Sequence, residues 1–526
     1  MLWTVAVYSA AALVAACLGL YVFLRRSLTY WQRRKVPFAP PTVPFGNYAD
    51  TVVGKKSLTM CVQDLYDGHR DERYLGTYFM ATPLLQIHDL DIIRQVFTKE
   101  FQDFNGRGTY WDDKSPHDHL SGHLFQLSGP TWKNLRVKLS PTFTTGKIKY
   151  MFHTISECTD HLREHIDAGM AKGGGAYTED IRDLVARLFT DVISSVAFGI
   201  ESNSMKNPDS EFRRMGAGIF ATTLDVNLRH LLIFFGGAIM RLFSIRSVPS
   251  EIYHFFTKMV EETVSYREKN KIERADMLNL LIKLKNDGFI PVDGPADKEA
   301  GDSPQGSPTT TVQTRKLELR QIAAQVFVFF LAGFETTSTT TSFTLFEMAK
   351  HPEVQRKLQE EVDATLKKHG TLTYEAIMDM PYMEMVIQET LRHYPPVPFL
   401  TREAMVKRQL PLTDVVLEKG TRLMIPVWAL HMDPQYWHEP RRYDPSRFSE
   451  ENSKSRHPNV YMPFGDGPRI CIGMRLGMVQ VKMALASILS RASVSLAPGM
   501  PREPRFSPRC VLPSPIDGIK LTLTAR

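Results

Sequence analysis

Cys471 lies in the run Phe464-Gly465-Asp466-Gly467-Pro468-Arg469-Ile470-Cys471-Ile472-Gly473, where each neighbouring residue type has a chemical use. A cysteine thiolate is a soft metal ligand. Arg469 offers a fixed positive charge shaped for a carboxylate. Phe464 is an apolar ring able to limit water around a bound metal. Gly467 permits a tight turn, and Gly473 leaves room for a following helix to approach without a Cβ in the way. A single cysteine beside a Gly/Pro turn is by default inert packing. Five spaced positions matched at once point instead to a ligand loop.

Three further constellations carry polar groups at helical spacing. In Ala332-Gly333-Phe334-Glu335-Thr336-Thr337, Gly333 would let a flat group lie against the backbone. Thr336 is able to bond back to a carbonyl one turn earlier and loosen the helix. Glu389 and Arg392, three apart, share a helix face. Trp132 and Arg136, four apart, share another and present donors only. Taken singly, each has an ordinary reading: a threonine-rich packed helix, a surface ion pair, a core tryptophan.

Together these residues resemble the cytochromes P450. The cysteine run reads F-x-x-G-x-R-x-C-x-G, preceded in order by W-x-x-x-R, A-G-x-E-T-T, E-x-x-R and the P-x-R-F of Pro445-Ser446-Arg447-Phe448. The resemblance covers nearly the whole chain. It implies a mainly α fold with a large helical domain and a small β-rich region. It also implies haem b (iron protoporphyrin IX), with Cys471 as the axial iron ligand that favours O–O cleavage. Thr336 is then expected to order dioxygen and water, and Glu335 to deliver protons. Trp132, Arg136, Arg402 and Arg469 are expected on the haem propionates, with Ala332, Gly333, Phe464 and Gly473 also against the cofactor. Glu389, Arg392 and Arg447 would form a buried structural cluster that holds the cysteine loop. Gly129-Pro130-Thr131-Trp132 and Leu139-Ser140-Pro141-Thr142-Phe143-Thr144 resemble the microsomal branch with insect family-6 and vertebrate family-3 enzymes. Leu120-Ser121-Gly122-His123-Leu124-Phe125 tilts the likeness toward the insect, xenobiotic-metabolising type. His119 stands where those relatives frequently have proline, so the local loop shape is left open.

The elements that must position these groups are legible in outline. Arg320 to Lys350 reads as one long helix, stopped before His351-Pro352. It is apolar nearly all round from Ile322 to Phe334, hence interior. Gln325, Glu335 and its threonines argue against a membrane span there. Met277 to Ile282 has the spacing of a packed helix. Asn286 to Thr314, rich in Gly, Pro, Asp, Ser and Thr, reads as a loop within one domain.

The chain has 526 residues, is 43% hydrophobic and 23% charged, and carries a formal charge of +7. That balance is globular. Scattered basic residues disfavour nucleic acid and fit a membrane surface or an acidic partner. Five widely separated cysteines without a C-x-x-C pair support neither zinc nor a disulfide framework. Leu2 to Leu24 carries no charge, is long enough to cross a bilayer, and is followed by Arg25 and Arg26. Residues 1–26 are thus expected as a retained anchor, 27–47 as a basic, proline-rich linker and 48–526 as the catalytic domain. The expected setting is single-pass in the endoplasmic reticulum membrane, with the catalytic body on the cytoplasmic face.

The resemblance places Phe104, Tyr110, Trp111, Phe125, Val328, Leu331, Val397, Phe399 and Leu400 around a substrate cavity, closed by the turn near Val511. An apolar pocket of this kind suits lipophilic compounds. No flavin or dinucleotide segment follows, so electrons are expected from membrane-bound NADPH–P450 reductase, with cytochrome b5 as a further partner. Lys133, Lys138, Arg475 and Lys482 are candidates for its docking. Two alternatives remain open at this point: a P450-type isomerase or dehydratase working without reductase, and a non-enzymatic haem-binding membrane protein.

Overall fold

The computed structural model describes residues 2–112, 117–274, 276–288 and 316–526. Most of the loop expected over Asn286 to Thr314 lies outside them. The organising element is the helix Leu319–Lys350. Glu318 and Gln321 close its first turn as a reciprocal capping box, and Pro352 starts the next helix. Buried side chains run around its whole circumference, from Ile322 to Met348. Helix Ile181–Phe198 lies along it most extensively, and Ser250–Asn270, Pro381–His393 and Met474–Leu489 complete the surround. One continuous core joins these helices, with Phe256, Phe327, Phe330 and Phe334 interlocking at its centre. The helix expected at Met277 to Ile282 forms as Met277–Asn286, with Met277, Leu278, Leu281 and Ile282 buried.

The β region is small. A four-stranded sheet runs in the order Tyr74–Phe79, Thr82–Ile87, Arg422–Ile425, Leu400–Glu403. Its first and last pairings are antiparallel, and the central one, Leu84 opposite Arg422, is parallel. A second sheet orders Ala176–Asp180, Lys520–Ala525 and Ala492–Leu496. The first sheet has a core of its own, built on Trp31, Phe97, Leu423 and Ile425.

Helix Leu2–Leu28 stands free except at its C-terminal end, where Leu28 is buried in the core of the first sheet; Trp3, Tyr8 and Leu13 are largely exposed. It is long and apolar enough to cross a bilayer, and none of its apolar window is buried against the protein. Leu319–Lys350 also has the length and composition of a span, but most of its apolar window is inside the protein; it is a core helix. The segment expected as a basic, proline-rich linker packs against the first sheet. The Trp31 indole is fully buried and donates to Thr77 O at 3.1 Å, and Ala39 N donates to Gly76 O at 3.0 Å. Apolar residues within the proline-rich stretch bind it to the sheet, so the helix leaves the body from a fixed point.

Candidate functional site

The cysteine loop is built by backbone bonds. Gly465 N donates to Met462 O at 3.1 Å, Ile470 N to Gly467 O at 2.9 Å, and Cys471 N to Phe464 O at 2.9 Å. Gly467 is indispensable to the turn. Its φ is +69°, and a Cβ there would sit 1.9 Å from Phe97 O. Gly473 has a different use from the one expected. A Cβ would meet only Phe143, at 3.8 Å, so no helix depends on its bareness. Its amide instead lies close enough to the Cys471 sulfur to favour the thiolate and so lower the thiol pKa. Burial is the larger influence and pushes the thiol up, while Arg136 and Arg107 favour the thiolate.

The Cys471 thiol opens on a cavity of about 270 Å³. Its opposite wall is the central helix, through Val328, Ala332, Gly333 and Thr336. Four arginines share the lining: Arg107, Arg136, Arg402 and Arg469. None of the four has a carboxylate partner among the described residues. Arg136 donates to Ile470 O at 3.0 Å, and Arg402 to Thr401 O at 2.9 Å. Arg469 donates to Leu127 O and lies 4.3 Å over the Trp132 ring. The Nε groups of Arg107, Arg402 and Arg469 are buried without an acceptor. Burial and mutual repulsion push Arg469 down to about 7 and Arg107 to about 10. So many buried cations in one cavity are stable only with an anion among them. A ligand carrying two carboxylates, with a flat apolar body above a thiolate, fits this donor set.

Arg107 was invisible to sequence reasoning, since a lone loop arginine has no motif around it. Its neighbours show why the loop presents it. Glu403 N donates to Gly106 O at 2.8 Å, and Tyr110 N to Ile233 O at 2.7 Å. These two pins turn Arg107 into the cavity, 4.1 Å over the Phe125 ring.

Several expected pocket residues lie elsewhere. Phe104 is fully buried in the core of the first sheet, and the Tyr110 ring lies 5.8 Å from the Arg241 guanidinium. Trp111 packs on the main core. Phe399 and Val511 lie in a separate apolar cluster, Phe399 against Phe234 at 5.7 Å. Leu331 is packed on the main core beside the cavity-facing Ala332. None of these lines the cavity, whereas Phe125, Val328, Val397 and Leu400 do, along with Leu124 and Phe329.

The central helix supplies two further differences. The Thr336 hydroxyl donates to Ala332 O at 2.8 Å while its side chain faces the cavity. Glu335, one residue earlier, is rotated about 100° around the axis. Its carboxylate accepts from Arg182 Nη2 at 3.1 Å, outside the cavity, and Arg182 also donates to Ser514 Oγ at 2.8 Å. The expected proton donor is thus held by a guanidinium on the neighbouring helix. Gly333 shows its backbone to the cavity, but its missing side chain accommodates Ile193, which a Cβ would approach to 2.5 Å. The bareness serves helix packing.

The E-x-x-R pair sits behind the cysteine loop. Both side chains are fully buried, with Arg392 Nε and Nη2 each 2.8 Å from a Glu389 oxygen. Arg392 also donates to His431 O and Pro440 O, both at 2.8 Å. Arg447 Nε lies 3.5 Å from Glu389 Oε1. His431 Nε2 in turn accepts from Met462 N at 3.0 Å, at the root of the cysteine loop. His119, whose loop shape was left open, heads a short 3-10 turn; its ring meets Tyr253 Oη at 2.7 Å and Thr257 Oγ1 at 3.3 Å.

Comparison with known proteins accords with this geometry. The family model described as Cytochrome P450 matches residues 40–523. The chain belongs to the cytochrome P450 family. Curated relatives include insect cytochromes P450. Cytochrome P450 6k1 of Blattella germanica is 37% identical over 95% of this chain and 94% of its own length. Probable cytochrome P450 6a14 of Drosophila melanogaster is 39% identical over 97% and 98%. Cytochrome P450 6d3 of Musca domestica is 35% identical over 98% of each chain. This P450 is therefore a haem-dependent monooxygenase of the insect family-6 type.

Proposed function

We propose that this P450 is a membrane-anchored haem b monooxygenase. It takes electrons from NADPH–P450 reductase, with cytochrome b5 as a second donor, and inserts one oxygen atom of O2 into lipophilic xenobiotics or endogenous lipids. The observation that carries this reading is one cavity holding the Cys471 sulfur, four arginines with no carboxylate partner among the described residues, and an apolar wall. When bound there, a haem iron supplies dioxygen activation, and a thiolate ligand favours O–O cleavage.

The protein's own groups have separable tasks in that reading. Cys471 would hold the iron, with the Gly473 amide directed at its sulfur. Trp132, Arg107, Arg136, Arg402 and Arg469 would fix the propionates. Thr336, bonded to Ala332 O, leaves a groove on the cavity side able to orient water or dioxygen. Phe125, Val328, Val397 and Leu400 exclude water and match an apolar substrate.

The free helix Leu2–Leu28, followed by Arg33, Arg34 and Lys35, supports an anchor in the endoplasmic reticulum with the body on the cytoplasmic face. On the cysteine side, Lys133 and Arg475 are exposed and suited to an acidic reductase face. Lys482 is not: it is buried in an ion pair with Glu384 at 2.7 Å. Lys138 is half-buried.

Reconstitution with reductase, NADPH and a panel of lipophilic compounds tests the reading. Hydroxylated products formed only with NADPH and reductase are expected; unchanged compounds across the panel would contradict it.

A further inference from the structure

The strap of residues 117–127 forms part of the cavity roof through Leu124 and Phe125, and four different elements hold it. Asp118 accepts from Ser247 N and Oγ, both at 2.9 Å. His119 meets Tyr253 and Thr257 on helix Ser250–Asn270. Arg469 donates to Phe125 O and Leu127 O. The fourth hold is Gln325, on the central helix about three turns before Thr336.

Gln325 is fully buried in an apolar stretch, which is costly for an amide unless every polar atom is engaged. They are engaged, and mainly on the strap. Oε1 accepts from Leu124 N at 2.9 Å, and Nε2 donates to Gly122 O and Gln321 O, each at 3.2 Å. A helix packed by side-chain shape alone would use leucine here. The side chain instead grips the backbone on either side of His123 and fixes the residue directly before Phe125.

We propose that Gln325 is a positioning residue for the oxidation: it sets the height and angle of the Leu124–Phe125 roof and so selects which carbon of a substrate reaches the cavity floor. This rests on the lipophilic-substrate reading above. Gln325 does not line the cavity, so its influence runs entirely through the strap. Gln325→Leu removes both strap bonds, whereas Gln325→Glu keeps the acceptor for Leu124 N and loses the donor for Gly122 O.

The test uses full-length holoenzyme and two iron-binding probes followed by their Soret shifts: imidazole, and imidazole carrying a triphenylmethyl tail. In Gln325→Leu, imidazole should bind within about twofold of the unaltered protein, while the tailed probe weakens about tenfold, the size of one lost hydrogen bond. Gln325→Glu should fall between. Amide exchange at Leu124 should quicken about tenfold in Gln325→Leu. With a substrate that gives two hydroxylated isomers, the isomer ratio and KM should move more than kcat.

Unchanged tailed-probe affinity, Leu124 exchange and isomer ratio would overturn the proposal. So would equal weakening of both probes, which reports a general loosening. Should Gln325→Leu fail to retain haem, Gln325→Glu carries the same comparison, with Ser247→Ala, which removes one of the two bonds to Asp118 at the start of the strap, as its reference. If no lipophilic compound is turned over, the substrate reading fails, while the probe and exchange results still judge the role of Gln325.

Discussion

Replacing Glu389 by glutamine should dismantle the support behind the cysteine loop. Arg392 is fully buried and surrounded by one carboxylate and three carbonyls, with Glu389 as its closest compensating charge at 2.8 Å. Burial pushes the Glu389 carboxyl pKa up, but the guanidinium and His393 bring it below the usual carboxylate range, so it is ionised at neutral pH. Neutralising it strands a buried cation, which costs about 3–5 kcal/mol. That is a large share of the roughly 5–15 kcal/mol by which a domain is stable. The loss should travel by a definite route: Arg392 to His431 O, then His431 Nε2 to Met462 N. The assay is urea unfolding combined with the ferrous–CO spectrum. Glu389→Gln should lower the unfolding midpoint and convert much of the 450 nm species, while turnover per remaining 450 nm haem stays within about twofold. A paired Glu389→Met/Arg392→Met variant should recover part of the stability, because the fully buried cation leaves with its partner and only the more exposed Arg447 loses its carboxylate. A Glu389→Gln cost under about 1 kcal/mol, the range of an exposed pair, would refute the reasoning. So would a full loss of turnover with the fold and the 450 nm band intact.

Three further outcomes are expected. Arg107→Ala should speed haem transfer to an acceptor apoprotein about 10- to 100-fold, the value of one charge-assisted hydrogen bond; an unchanged rate would remove Arg107 from the cofactor rim. Gly467→Ala should abolish haem retention, since φ is +69° and the new Cβ meets Phe97 O at 1.9 Å; normal expression with a full 450 nm band would contradict the turn geometry. Burial lowers His88 to about 4, so its contribution to stability is complete above the unfolded value near 6.5 and is lost as pH falls toward 4. The slope is about 1.4 kcal/mol per pH unit for the one proton. His88→Gln should flatten the acid limb of stability against pH by about one proton; an unaltered limb would mean His88 is charged in the fold.

The cysteine loop, the E-x-x-R cluster and the central helix were legible because short-range rules write them directly. Gly467 must take positive φ, Glu389 and Arg392 share a face by spacing, and Pro352 marks where Leu319–Lys350 stops. Residues whose role depends on which way a loop or helix turns were not. Arg107 faces inward and Phe104 outward because of pins to Glu403 and Ile233, residues hundreds or more than a hundred positions away. Glu335 misses the cavity by a single helical step, a rotation that Thr336 fixes and Arg182 exploits. Gly333 carried a true signal of close approach, but the approaching group is Ile193. In the same way the buried amide of Gln325 reads in sequence only as an argument against a membrane span, and its strap partners emerge from packing.

Replacement of Cys471 by serine, followed by the reduced CO spectrum of the purified protein, tests the central claim most directly. The unaltered chain should absorb near 450 nm and the serine variant should lose that band while remaining folded, because the sulfur supplies the axial bond. A 450 nm band that persists in Cys471→Ser would contradict a thiolate-ligated haem in this cavity.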